Sequence, residues 1–152
     1  MLNEVLEKGV KDAFTARMPG GLAEYGHVLR VAGETAAVTE GDEHAPMVVV
    51  RIFDGSKKGT RLWRYPYEVT VTWNVDATAS AEAEAMVRGI VERFHEMPGD
   101  EGAAELGWIA ELNGVLESAF VVRWWVADVK HSDPEDREKQ RVISGHLWAA
   151  ER

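Results

Sequence analysis

Apolar and polar positions alternate from Tyr67 to Val75, with Tyr67, Val69, Val71, Trp73 and Val75 interleaved by Glu68, Thr70, Thr72 and Asn74. A period of two marks a strand with one buried face. From Ser80 the period changes. Ala83, Met86, Val87, Ile90, Val91 and Phe94 recur at three- and four-residue spacing and form one stripe along a helix. Ser80 is the expected N-cap, and Glu82 and Glu84 put negative charge where the helix dipole favours it. Met97-Pro98-Gly99 ends the helix. The two apolar surfaces are expected to close on each other with Trp73 and Ile90 between them, leaving Glu92, Arg93 and Glu96 on the solvated side.

The flanking segments follow the same two periods. Leu2, Val5, Leu6, Val10, Ala13 and Phe14 predict a first helix, with Glu4, Glu7, Lys8, Lys11 and Asp12 on its polar face and Gly9 weakening it slightly. Met18-Pro19-Gly20-Gly21 ends it. His27–Val31 and Thr35–Val38 each suit a short strand, and Thr39–Pro46 a loop. Met47–Phe53 is a clearer strand, with Val48, Val50 and Ile52 on one side. Asp54–Arg64 reads as a long exposed hairpin loop. Trp63 within it either folds back onto the sheet edge or stands out as an anchor for a partner.

Gly99–Gly107 is acidic and glycine-rich, a surface excursion. Trp108, Ile109, Leu112, Val115 and Leu116 suggest a short helix, which Asn113-Gly114 would alternatively break into a turn. Phe120, Val122, Trp124 and Val126 alternate with Val121, Arg123, Trp125 and Ala127, a strand rich in β-formers on both faces. His131–Gln140 reads as a charged loop. Arg141–Ala149 reads as the returning strand, with Ile143 and Leu147 on one face and Val142 and Trp148 on the other. The whole is a single α+β domain over residues 1–152, an antiparallel sheet with two amphipathic helices packed on one face. Large apolar groups on both faces of the closing strands, Trp125 and Trp148 among them, leave one face for a partner.

Composition narrows the function. The chain has 152 residues, no cysteine and a net charge of −9. Disulfides and thiolate chemistry are excluded. Like charge disfavours nucleic acid and anionic membrane as partners. No secretory signal or membrane-spanning run is visible, so the expected location is cytoplasmic. Charge is unevenly spread. Residues 76–118 hold ten acids against two bases, whereas Asp54–Arg64 carries Lys57, Lys58, Arg61 and Arg64 against a single acid. Such a basic loop is either simply solvated or meets an acidic surface, including one on a second copy.

Catalytic and ligand-binding patterns are weak. Ser144-Gly145-His146 is the nearest approach to a nucleophile and base, but neighbours along a strand point to opposite faces. Glu92 and His95 have helix-face metal-ligand spacing without the second set that a di-metal site requires. Asp128 and His131 bracket an expected strand end. His27, His44, His95, His131 and His146 form no ligand shell by spacing. No phosphate-binding glycine motif occurs. No enzyme activity, cofactor or metal is therefore expected.

Several features coincide: an N-terminal helix, Pro46-Met47-Val48-Val49-Val50 as an entering strand, and Tyr67-Glu68-Val69-Thr70-Val71-Thr72-Trp73. After these come the alanine-rich helix Ala79–Phe94 and a closing hairpin through Asp136-Arg137-Glu138-Lys139-Gln140-Arg141. This plan resembles that of phage and prophage tail terminator (tail completion, minor tail) proteins; Gly99–Glu117 falls outside the likeness. The resemblance implies a structural protein of virion assembly, a homo-oligomer and typically a hexameric ring, that caps the tail tube and supports head–tail joining. Its implied partners are its own copies, tail-tube proteins and head-connector proteins, and its implied place is the virion tail. Candidate contact residues are Lys57, Lys58, Arg61, Trp63, Arg64, Trp125, Arg137, Lys139 and Trp148. The competing reading is a small cytoplasmic binding or regulatory module that forms a homodimer through its sheet.

Overall fold

A computed structural model describes residues 2–16, 29–31, 46–76, 78–96, 107–135 and 137–152. The elements are α1 (Leu2–Ala16), β1 (Leu29–Val31), β2 (Met47–Ile52), β3 (Ser56–Lys57), β4 (Leu62–Asn74), α2 (Ser80–His95), α3 (Trp108–Val115), β5 (Ala119–Glu135) and β6 (Glu138–Glu151). The strands form one sheet in the order β1-β2-β4-β6-β5, with β3 beside the start of β4. Pairing is antiparallel except at one edge, where β1 runs parallel to β2. Residues 32–46 supply the length that a parallel return needs. The possible strand at Thr35–Val38 lies outside the described residues.

The alternation of β4 behaves as its sequence requires. Tyr65, Tyr67, Val69, Val71 and Trp73 are buried, and their intervening neighbours are not. Trp73 and Ile90 are 2 % and 0 % exposed. Aromatic rings join the layers: Phe94 of α2 lies 5.7 Å from Tyr67 and 4.9 Å from Trp124. Phe14 of α1 stacks on Phe94, and Trp108 of α3 meets both Phe14 and Trp124. Each such pair adds roughly 0.5–1.5 kcal/mol beyond the area it buries. Among the described residues there are three helices rather than two, since Asn113-Gly114 sits inside α3 without breaking it. Asn113 has another use. Its side chain accepts from Val121 N–H at 2.7 Å and donates to the Val121 carbonyl at 2.9 Å, closing the edge of β5 at that point.

Several polar assignments change. Asp54–Arg64 is not one long loop; β3 and the start of β4 pair through Ser56–Arg64 and Lys57–Trp63, leaving a tight turn closed by Lys58 N–H to the Leu62 carbonyl. His131–Gln140 is a hairpin, because β5 runs to Glu135 and β6 starts at Glu138. Asp133 accepts ion pairs there from Lys139 at 3.3 Å and Arg141 at 3.8 Å, so the charges stabilise the ladder across the strands. Asp128 and His131 accordingly lie within β5 rather than at its end. Ala79, not Ser80, occupies the N-cap of α2; Ser80 Oγ accepts from Trp73 Nε1 at 3.4 Å. Arg93 is buried rather than solvated. It bonds Glu96 and Glu111, and its guanidinium lies 5.0 Å from the Trp108 ring.

Glu7 is likewise buried, against the β2 backbone two residues beyond the Val31–Val50 pair. Glu7 accepts from Ile52 N–H at 2.7 Å, and Asn3, one helical turn away, donates to the Ile52 carbonyl at 3.4 Å. Burial raises the Glu7 pKa above the usual carboxylate range despite that hydrogen bond. A raised folded pKa means its stabilising contribution is complete below the unfolded pKa and declines as pH rises through the folded value. Glu7→Gln is therefore expected to gain stability relative to wild type as pH rises from 4 to 7. Glu7→Ala, which strands the amide, is expected to lose about 1–3 kcal/mol. Urea melts of the three proteins at both pH values check this; parallel pH profiles for wild type and Glu7→Gln would refute it.

Candidate functional site

Bulges in β5 decide what the far side of the sheet carries. Phe120, Val122, Trp124 and Val126 have the spacing of one face, but the ladder with β6 slips between Val121 and Arg123, and again between Val126 and Asp128. Each slip inserts a residue and reverses the parity beyond it. Val121, Trp124 and Val126 therefore turn toward the core together. Phe120, Val122 and Trp125 are exposed by 46 %, 47 % and 37 %.

On that outer side the register places Arg123 opposite Trp148 and Trp125 opposite His146, while Arg64 flanks Trp148 from β4. The Trp125 ring lies 4.4 Å from His146 and 5.9 Å, edge-on, from Trp148. The Arg123 guanidinium stands 5.4 Å and 5.7 Å from the two indole centroids, within cation–π range. Arg64 Nη2 approaches His146 Nδ1 at 3.3 Å. A guanidinium can only donate, so Nδ1 accepts and the imidazole is neutral with its proton on Nε2. Burial, then the Arg64 charge, lowers the His146 pKa and keeps it in that form. Neither Arg64 nor Arg123 has a carboxylate within ion-pair distance among the described residues.

The inner face fixes this outer one. Tyr67 pairs with Gly145, and its Oη donates to the Trp125 carbonyl at 2.7 Å. Burial raises the phenol pKa well above the tyrosine range, so it stays a donor. Gly145 provides the passage. A Cβ there would collide with the Trp125 carbonyl oxygen and stand 2.8 Å from Tyr67 Oη.

The expected contact residues fall into three places. Arg64, Trp125 and Trp148 come together on the outer face, joined by Arg123 and His146. The signal for those two was available in the i, i+2 relation of Arg123 to Trp125 and of His146 to Trp148. Lys57 and Lys58 are exposed at the β3–β4 turn. Arg61 and Trp63 line a neighbouring open cleft of about 660 Å³ with Asp54, Tyr65, Glu151 and Arg152. Trp63 is 36 % exposed, half folded back. Arg137 and Lys139 sit at the opposite end of β4, paired with Asp76 at 2.8 Å and Asp133 at 3.3 Å. Ser144 and His146 do not point to opposite faces as expected: they are two residues apart on β6 and share the outer one, and His146 spends its Nδ1 on Arg64. Among the described residues no group of three or more His, Cys, Asp or Glu side chains is placed to hold a metal ion. No described helix is long and apolar enough to cross a membrane.

The arrangement defines an α+β protein whose largely antiparallel sheet has an aromatic and cationic outer side. No protein-family model matches the chain, and no curated protein does. Nineteen solved chains match its structure. One of them belongs to the virion of a native gene transfer agent (GTA) particle; it superposes with a TM-score of 0.53 over 92 % of this chain and 88 % of that one, at 14 % sequence identity. The fold is shared with that virion chain.

Proposed function

We propose that this chain is a structural protein of a phage-like virion that assembles with its own copies and with neighbouring virion proteins. The observation that carries this reading is the fold likeness to a chain of the gene transfer agent virion, which runs through nearly the whole of both chains. Within that role, tail completion is the specific reading: a ring, six copies by the terminator plan, that caps the tail tube and presents a surface for head joining. The exposed turn Lys57-Lys58 suits contact with an acidic neighbour.

Negative-stain images and sedimentation of the purified chain test the ring. Closed rings of one size support it, and a monodisperse dimer supports the homodimeric module instead. Lys57→Glu/Lys58→Glu is expected to weaken assembly more at low salt than at high salt, since exposed charges are screened over about 10 Å at 0.1 M. An unchanged sedimentation profile would reject that contact.

A further inference from the structure

We propose that the outer sheet face built from Arg64, Arg123, Trp125 and Trp148 docks the acidic solvent side of helix α2 on a second copy of this chain; this rests on the assembly reading above and names the two surfaces. The first argument is uncompensated charge. Arg93, Arg137 and Arg141 each pair with carboxylates inside the molecule, whereas Arg64 and Arg123 do not among the described residues. Their guanidiniums are held by an imidazole and by indole faces, which orient them and leave their charge unneutralised. Trp125 beside them offers an exposed aromatic surface suited to a desolvated contact.

The second argument is where the matching charge lies. Of the ten acids in residues 76–118, Asp76, Glu84, Glu96 and Glu111 pair with the chain's own arginines. Glu82 and Glu92 on α2 are exposed and, like the exposed Arg88 on the same helix, enter no ion pair among the described residues; the two carboxylates outnumber that one cation. The third argument is sidedness. α2 buries Ala83, Met86, Val87, Ile90 and Phe94, and Phe94 touches Tyr67, which points away from Arg64 by the alternation of β4. The cationic face and the acidic helix surface therefore look in opposite directions. One molecule cannot satisfy both by itself, and two related by a two-fold axis cannot match them symmetrically. A head-to-tail contact matches them, and repeating it gives a ring if the rotation closes.

The test is mass photometry and sedimentation of the full chain, with thermal melts to confirm that each variant folds. Arg64→Glu/Arg123→Glu is expected to weaken self-association by roughly 10²-fold or more, and Arg123→Glu alone, at an exposed site, by about tenfold. Glu82→Lys/Glu92→Lys is expected to do the same from the other side, and all four reversals in one chain to restore assembly. If wild type assembles and the arginine variants assemble equally well, this contact is wrong and the assembly reading stands. If wild type is monomeric across salt concentrations, both fall. Loss of assembly in the arginine variants without rescue by the four-fold variant would overturn α2 as the occupant. Single-stranded DNA binding that depends on Arg64 and Arg123, with assembly unaltered, would also overturn the proposal.

Discussion

Gly145→Ala is expected to lower stability by about 3–4 kcal/mol, the overpacking cost together with a lost hydrogen bond. For a chain of this size that corresponds to a fall in melting temperature of roughly 10 °C. The added methyl collides with the Trp125 carbonyl and crowds Tyr67 Oη, so the tyrosine must leave its acceptor and the β5–β6 ladder must open. Tyr67→Phe, which removes only the hydroxyl, is expected to cost about 1 kcal/mol. Combined with Gly145→Ala it should recover only part of the loss, because the backbone clash persists. Because Tyr67 holds the peptide that carries Trp125, Gly145→Ala should also disturb the outer aromatic cluster, visible as a change in near-ultraviolet circular dichroism. Gly145→Ala melting within a degree or two of wild type would show that the passage is not needed.

Arg93→Ala is the second large effect, a loss of about 3–5 kcal/mol, since it removes one partner of a largely buried charge cluster and empties the space over Trp108. Arg93→Met keeps the apolar stem, and Glu96 and Glu111 sit near enough to water to be solvated, so about half of that loss is expected. Buried pairs are screened little, so the deficit should persist in 1 M salt. The exposed Arg137–Asp76 pair provides the contrast: Arg137→Ala should change stability by less than about 0.5 kcal/mol. Urea titrations of the three variants decide it, and equal losses for Arg93→Ala and Arg137→Ala would contradict the role given to burial.

The organising strand and α2 were legible because each carries one unbroken period: Tyr67 to Trp73 every second residue, Ala83 to Phe94 every third and fourth. Val142 and Trp148 opposite Ile143 and Leu147 were legible for the same reason. In β5 the period misleads, since Phe120 and Trp124 share a parity in sequence and face opposite sides in space. A bulge arises from the local ladder and leaves no composition signal in Val122 or Ala127. Glu7 and Arg93 failed as surface predictions because their partners, the Ile52 amide and Glu111, come from distant elements.

By itself the sequence determined the layers, because burying an apolar stripe depends only on its period and the nearest surface of the same kind. It also determined that charge would be unevenly divided, with acids after the central strand and a short basic run, Lys57 to Arg64, leading into it. Tertiary structure alone decided that the pairs Arg123–Trp125 and His146–Trp148 lie side by side with Arg64 on one face, and that α2 carries its free acids on the other. Register, bulges and edge closure set those neighbours. They depend on which strand pairs with which, a choice settled by the sum of contacts across the sheet.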